Sequence, residues 1–332
     1  MRIAMLGAGY IAGVNGTALL SLPEVELCAI SNHHPEKARR LADTLGTDCP
    51  VYADWREMLD KEKPDAAAIF LPHYLHERSF LDCAARGINV IIEKALANTY
   101  EECLRMIDAA EKSGIRATVC HTQRYNAVYM AAKAYAARHE AELGRLLSVN
   151  DNIHIHYFWD GRSPWQLSTA QSGGGIALNY GVHQLDRVHW FLQQRTVDFH
   201  ARYLCEKPGY EVCSSYAMLG VGDGGTPYAI TCTGYSGPYI NETRLVYENG
   251  VLQCNLTDSG CMPYGLYGGS TESGRLDPLL VPHTNELMYE RQFIAAVDYL
   301  AGRTDTPPVP LSWAAEMVRL VELGFAQNGG HA

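Results

Sequence analysis

Residues 2–12 read Arg2-Ile3-Ala4-Met5-Leu6-Gly7-Ala8-Gly9-Tyr10-Ile11-Ala12, a short apolar run that stops at glycine and opens a G-x-G-x-x-A pattern. A strand ending on glycine and followed by a helix is the setting in which this pattern has mechanical meaning. Glycine lets the backbone turn tightly and approach a pyrophosphate, and the helix N-terminus offers free N–H groups and a positive dipole. The pattern therefore marks Gly7, Gly9, Tyr10, Ile11 and Ala12 as dinucleotide-binding residues. The neighbouring chain repeats the same alternation. Val25–Ser31 reads as a second strand, followed by helical periodicity over Pro35–Leu45. Asp65–Leu71 is a third, entered through Lys63-Pro64 and left through Pro72. Ile88–Ile92 is a fourth, followed by a helix at Tyr100–Ser113, and Arg116–Cys120 is a fifth. Strands alternating with helices at this spacing predict right-handed crossovers and a doubly wound parallel sheet, an α/β fold.

The pattern changes after Tyr125. A helix around Ala127–Glu142 leads into Leu146–Phe158, where His154 and His156 share a face by alternation. Val197–Cys205, Val212–Val221 and Tyr228–Tyr235 follow, then Glu242–Tyr247 and Val251–Asn255 joined by Asn249-Gly250, a tight-hairpin signal. A Gly-rich helical insertion spans Gly173–Leu192. Two helices, Asn285–Ala301 and Ser312–Gln327, flank Pro307-Pro308-Val309-Pro310. This half is expected to be an α+β domain with a large, mostly antiparallel open sheet. The division is a dinucleotide-binding domain at 1–122 and a substrate-binding and oligomerisation domain at 123–332, with the last helices free to pack back on the first.

Composition narrows the function classes. The chain has 332 residues, with 27 Lys and Arg against 37 Asp and Glu, a net charge of −10. An acidic chain without a basic block is a poor match to nucleic acid. No apolar run approaches the ~20 residues of a membrane span, and the N-terminus reaches Gly7 too soon for a signal-peptide apolar region. The ten cysteines, scattered from Cys28 to Cys261, show no C-x-x-C pair. They read as buried hydrophobes in a reducing cytosol, so the expected location is cytoplasmic. His154 and His156 lack a Cys or carboxylate to complete a ligand set, and no metal is expected.

The second strand should end in an acid that holds the adenosine ribose. Asn32 stands there, before His33. An amide can hydrogen-bond a hydroxyl but lacks the charge that repels a 2′-phosphate, so NAD is preferred and NADP stays open.

With the glycine motif, three further runs carry a family resemblance. Phe70-Leu71-Pro72-His73 with His76 is similar to a nicotinamide-proximal Pro-Asn…His. Ile91-Ile92-Glu93-Lys94-Ala95 is similar to a Glu-Lys-Pro run with the proline lost. Gly173–Asp186 is similar to G-G-G-x-L-x-D-x-G-x-H-x-x-D, with Asn179 in place of the first aspartate. Taken in order, these resemble the Gfo/Idh/MocA oxidoreductases, relatives of glucose–fructose oxidoreductase and inositol dehydrogenase. The resemblance implies cofactor contacts at Leu71, Pro72, His73, His76, Glu93 and Lys94. It also places His121, Gln123, Arg124 and Tyr125 near nicotinamide and substrate.

The chemistry of these residue types agrees. Lys94, at the C-terminal end of a parallel strand, can hydrogen-bond a reacting hydroxyl and stabilise its alkoxide as hydride leaves. His183 lies four residues after Asn179 on one helix face. Its imidazole, with an ordinary pKa of ~6.5, suits a reversible proton acceptor. Asn179 can orient a hydroxyl but cannot act as a base, and Asp186 orients or caps. Tyr180 is an alternative base, and Trp165 offers an aromatic face for a sugar. His154, His156 and Arg162 are weaker candidates for polar or anionic substituents.

The expected function is an NAD(P)-dependent oxidoreductase acting on a secondary alcohol of a sugar, cyclitol or derivative. The alternatives are a redox glycoside hydrolase and a non-catalytic NAD(P)-binding regulator. The former oxidises the ring transiently, eliminates the aglycone and returns the hydride. Strands such as Tyr228–Tyr235 look apolar or neutral on both faces. Relatives are often dimers or tetramers, so a homodimer or homotetramer through the C-terminal sheet is expected.

Overall fold

The computed structural model describes residues 1–257, 262–270, 272–280 and 287–329. Cys261 and the first two residues of the expected helix Asn285–Ala301 lie outside them. The chain divides into two compact units. One is Met1–Thr122 with Leu287–Val318, and the other is Gln123–Glu286 with Arg319–Ala332.

In the first unit the chain runs β1 (Arg2–Leu6), α1 (Tyr10–Leu20), β2 (Glu26–Ser31), α2 (Pro35–Thr44), β3 (Val51–Tyr52), α3 (Trp55–Glu62), β4 (Ala66–Ile69), α4 (His76–Ala84), β5 (Asn89–Glu93), α5 (Tyr100–Ser113) and β6 (Ala117–Cys120). The strands form one parallel sheet in the order β3-β2-β1-β4-β5-β6, the doubly wound order of dinucleotide-binding folds. Helices cover such sheets on both faces, so the strands read as continuous apolar runs without alternation. Ile3, Ala4, Met5 and Leu6 are all fully buried. The sheet has six strands where five were expected. Val51–Tyr52 is too short to show a period and is held as an edge by pairing with Ile30 and Ser31. Helix starts are chemically marked: Asp54 caps α3, and Thr99 with Glu102 forms a capping box on α5.

The second unit contains α6 (Ala127–Arg138), α7 (Glu140–Leu143), β7 (Leu146–His154), α8 (Thr169–Ser172), α9 (Ile176–Leu192), β8 (Thr196–Leu204), β9 (Ser215–Gly222), β10 (Pro227–Thr233), β11 (Ile240–Tyr247), β12 (Val251–Asn255), β13 (Gly265–Gly269) and β14 (Asp277–Leu280). The order is β14-β13-β12-β11-β7-β10-β9-β8, with β7 and β10 parallel and the other pairs antiparallel. Helix α10 (Met288–Leu300) belongs to the first unit, and α11 (Leu311–Gln327) begins there and ends in the second.

Several expectations need correction. The helix expected over Ala127–Glu142 breaks at His139. Strand β7 ends at His154, so His156 lies beyond it, and Val212–Ser214 precedes β9 rather than opening it. The hairpin between β11 and β12 exists, but its turn centres on Glu248-Asn249. Tyr247 N–H donates to the Gly250 carbonyl at 2.8 Å, while the Glu248 and Asn249 N–H groups donate to Arg145 and Leu143 carbonyls at 3.0 Å. Gly250 takes no left-handed φ. The turn is thus also bonded to the chain at Leu143 and Arg145. The face of the second sheet expected to be apolar or neutral is polar at its centre. Asn150, Asn152, Thr231, Glu242 and Arg244 line a recess of about 180 Å³.

Candidate functional site

The glycine loop behaves as its sequence predicts. Gly7 adopts φ +109°, and a Cβ there would lie 2.4 Å from the Phe70 carbonyl oxygen. Any side chain is therefore excluded by both conformation and space. Gly9 caps α1 with no side-chain hydrogen bond, and a Cβ on it would meet nothing within 4 Å. The start of α1 thus faces open space, with its first N–H groups unserved by a cap. Ile11 is half-buried, Ala12 is buried, and Tyr10 is 88% exposed on the first turn. Asn32 directly follows β2; its Oδ1 accepts from His34 N–H at 2.9 Å, leaving its amide N–H groups as the donors on offer. His33 is exposed, with its ring 4.0 Å from that of His34.

The C-terminal ends of β4 and β5 carry the next group. Leu71 and Pro72 are half-buried, and His73 is buried with its ring 5.7 Å from that of His76. His76 is fully buried. Its Nε2 lies 2.8 Å from the Leu71 carbonyl oxygen, and its Nδ1 lies 2.8 Å from that of Ala95 and 3.3 Å from that of Leu96. Burial pulls its pKa down despite these acceptors. The ring thus ties the chain leaving β4 to the chain just after Lys94.

Glu93, the last residue of β5, is buried. It accepts from Asn15 Nδ2 at 2.9 Å and from the Lys94 backbone N–H at 3.2 Å. Burial raises its pKa, against the pull of Lys94 and of these two donors. Lys94 is half-buried beside it, and the Lys94–Ala95 peptide bond is cis. His121 is buried immediately after β6.

In the second unit the glycine run has a packing reason. Gly175 caps α9 at φ +66°, and a Cβ there would lie 2.5 Å from Val212 Cβ. Helix α9 is buried along most of its length. Asn179 is buried and donates to the Tyr157 hydroxyl, whose pKa burial pushes up to about 12; that hydroxyl in turn donates to the Gln166 carbonyl at 3.2 Å. Tyr180 and His183 are half-buried, and the Tyr180 ring meets Tyr157 edge-on at 6.2 Å. Trp165 is half-buried in a 3₁₀ turn, Pro164–Leu167. Arg162 stacks 3.8 Å over the Tyr157 ring and donates to Gln166 Oε1 at 3.1 Å.

Two expected substrate residues hydrogen-bond side chains of α9. Arg124 forks onto Asp186 at 3.0 and 2.5 Å, and Gln123 accepts from Arg187. Tyr125 ends the 3₁₀ turn Thr122–Tyr125 that also holds Gln123 and Arg124, and it is half-buried. Arg187 is fully buried and pairs with Asp151 at 2.6 and 2.9 Å, while Gln184 and Thr243 each donate to Asp151 at 2.6 Å. Asn15, Tyr157, Asp151 and Arg187 were not anticipated. For Asp151 a signal existed: it shares parity with the inward residues Val149 and Ile153 on β7. For Asn15 and Tyr157 no local pattern does so, because their partners are 78 and 22 residues away.

The model of the oxidoreductase family with an NAD-binding Rossmann fold matches residues 1–121, and that of the GFO/IDH/MocA C-terminal domain matches residues 131–253. The chain belongs to the Gfo/Idh/MocA family. Among relatives of this Gfo/Idh/MocA protein, the rhizopine catabolism protein MocA of Rhizobium meliloti is 26% identical over 200 residues, 60% of this chain and 59% of that one. D-glucoside 3-dehydrogenase of Escherichia coli is 27% identical over 195 residues, 58% and 54% of the two chains. 2,7-anhydro-N-acetylneuraminate hydratase of Mediterraneibacter gnavus is 25% identical over 193 residues, 57% and 48%. The match spans about half the length of these curated relatives. Two solved structures share the fold. GenD2 from gentamicin A biosynthesis, in complex with NAD, has a TM-score of 0.84 at 19% identity, covering 99% of this chain and 94% of that one. Levoglucosan dehydrogenase in complex with NADH has a TM-score of 0.84 at 17% identity, covering 100% and 96%.

The residues present fit the dinucleotide of an NAD-binding Rossmann domain. The uncapped start of α1, with open space over Gly9, is a cradle that a Cβ would fill. Among the described residues no cluster of three or more His, Cys, Asp or Glu could hold a metal ion, and no helix is long and apolar enough to cross a membrane.

Proposed function

We propose that this chain is an NAD-dependent dehydrogenase acting on a secondary alcohol of a sugar, cyclitol or sugar derivative, with NADP open as a second cofactor. The observation that carries the reading is the end of β5, where a half-buried ammonium follows a buried carboxylate on the edge at which parallel sheets bind ligands. When bound, the nicotinamide supplies the hydride chemistry. Gly7 to Ala12 hold the pyrophosphate and Asn32 the ribose. Lys94 Nζ donates to the reacting hydroxyl oxygen and holds its developing negative charge. His183 takes the hydroxyl proton, and Asn179, fixed by Tyr157, orients the hydroxyl without charge. His76 and Glu93 position Lys94 from either side along the chain. Met1–Thr122 serves the cofactor, and Gln123–Glu286 the substrate.

A second reading, transient oxidation followed by elimination of an aglycone and hydride return, is favoured by one observation. The uncharged Asn179 is engaged with Tyr157, which leaves the proton chemistry to His183 alone on that helix face. The name of the hydratase relative is consistent with this reading. We also propose a cytoplasmic homodimer or homotetramer, formed through the open face of the second sheet.

The test is a screen of sugars and aryl glycosides that follows NADH absorbance and aglycone release together. Net NADH formation supports the dehydrogenase. Aglycone release needing only catalytic NAD supports the second reading. Neither signal alongside tight NAD binding overturns both and leaves a regulator. Sedimentation of a monomer at micromolar concentration would refute the assembly.

A further inference from the structure

The buried face of α1 consists of Ala12, Asn15, Gly16, Ala18 and Leu19, so Asn15 is its one polar residue. It is fully buried, and its Nδ2 donates to Glu93 Oε1 at 2.9 Å. Its own Oδ1 has no hydrogen-bond partner among the described residues. An orphaned amide oxygen in a core costs stability that an apolar side chain would not, so it calls for a reason beyond packing. The reason lies in what the amide serves. Glu93 Oε2 accepts the Lys94 backbone N–H at 3.2 Å, and Asn15 is the one side chain that donates to Glu93 among the described residues. Two further titratable groups act on this carboxyl, and neither is charged near neutral pH. Cys120 pairs with Glu93 in the register of β5 and β6, and burial keeps its thiol protonated. Tyr289 of α10 interacts with it electrostatically, and burial pushes that hydroxyl up to about 12. Lys94 supplies the opposite charge.

We propose that Asn15 is a positioning residue for hydride transfer: its amide keeps Glu93 charged, and the charged carboxylate holds the Lys94 ammonium at the strand end. The inference rests on the role proposed above for Lys94. Burial favours the neutral carboxylic acid, whereas a hydrogen bond donated to the carboxylate favours the charged form. With the Asn15 amide in place these two effects oppose one another. Without it, only the backbone N–H and the Lys94 charge are left against burial, and Glu93 takes up its proton at higher pH. A neutral Glu93 no longer attracts the ammonium. Helix α1 therefore serves the site twice, at its start through the glycine loop and along its buried face through Asn15.

The test uses the full chain saturated with NAD. Asn15→Asp keeps the side-chain shape and replaces the donor by an acceptor, while Asn15→Ala removes the group and cannot overpack the site. The Glu93 carboxyl is followed by infrared difference spectroscopy, as the protonated-acid band that Glu93→Gln lacks. Its midpoint should rise by roughly one to two pH units in Asn15→Ala, the scale of one hydrogen bond to a charge. It should rise further in Asn15→Asp, where two carboxyls share one site. This readout needs no substrate. An unmoved midpoint, or loss of the fold in both variants, would overturn the proposal. With a substrate from the screen, single-turnover hydride transfer in Asn15→Ala should fall by on the order of tenfold below the shifted midpoint, relative to the unaltered chain at the same pH. It should recover as pH rises past that midpoint, with NAD affinity unchanged. In a Lys94→Ala background the same substitution should cost almost nothing further. A loss equal at every pH, or one that adds fully to that of Lys94→Ala, would overturn the proposal. A moved midpoint alongside full turnover in Lys94→Ala would instead overturn the role of Lys94, and with it the step from Glu93 to hydride transfer.

Discussion

Glu93 and Asp151 are both buried carboxylates with a cation beside them, one at the end of a strand in the first sheet and the other inside a strand of the second. Asp151 receives two bonds from a fully buried Arg187 and one each from Gln184 and Thr243, so its lone pairs are filled from several elements at once. Glu93 receives one amide bond from Asn15 and one backbone N–H, and its neighbour Lys94 is only half-buried. Burial raises the pKa of Glu93. The difference is between a charge pair locked for structure and one left poised. A saturated pair fixes geometry and cannot exchange partners without large cost. A carboxylate held by one amide and one backbone N–H beside a half-buried lysine is the arrangement we propose for meeting a substrate oxygen.

Breaking the poised side should have the largest effect. Lys94→Ala is expected to cut single-turnover hydride transfer by on the order of 10²–10³-fold at saturating cofactor, and His183→Ala by ~10²–10⁴-fold. The double variant should lose less than the product, because both groups serve one proton transfer. Near-wild-type turnover in Lys94→Ala would show that the poised pair is not catalytic.

The locked side should answer in stability instead. Arg187→Met leaves Asp151 buried without its cation and should cost about 3–5 kcal/mol in denaturant unfolding. Adding Asp151→Leu should recover much of that loss. A recovery absent from the double variant would mean that the pair itself, rather than the orphaned charge, holds β7 to α9.

Gly9→Val sharpens the comparison at the cofactor end of the first sheet. Its side chain enters open space in the folded chain, so the melting temperature should hold, while NAD binding, read by titration, should weaken by on the order of tenfold or more, the scale of one overpacked contact.

The smallest expected effect is the pH dependence of stability carried by Glu93. Its folded pKa is raised, so below the unfolded value near 4.5 its contribution is fully present. That contribution is lost as pH rises through the folded pKa, since the folded state binds the proton more tightly. Glu93→Gln should therefore flatten the fall in melting temperature from pH 4.5 upwards. An unchanged slope would assign that fall to other groups.

Legibility in the sequence followed the range of the interaction. The glycine loop, the strand ends and the run Gly173–Asp186 were readable because each is a local pattern whose geometry a few adjacent residues impose. The two-residue β3 was not, because two residues carry no period and its partners are in β2. The site shows the same split. Lys94 and His183 are proposed from their positions on their elements alone. The hydrogen bonds of Arg124 and Gln123 to Asp186 and Arg187, more than sixty residues away, were not legible. Only a packed helix α9 brings those partners within reach.

By itself, then, the sequence determined the two architectures, the cofactor loop and the strand and helix that carry the candidate chemistry, since hydrophobic period and glycine conformation act within a few residues. The tertiary structure decided which polar groups are available. Whether a charge is buried, and what fills its hydrogen bonds, depends on chains far apart in sequence meeting in a medium where an unpaired group is costly. That is why two acidic side chains, Glu93 and Asp151, ended with such different sets of hydrogen-bond partners.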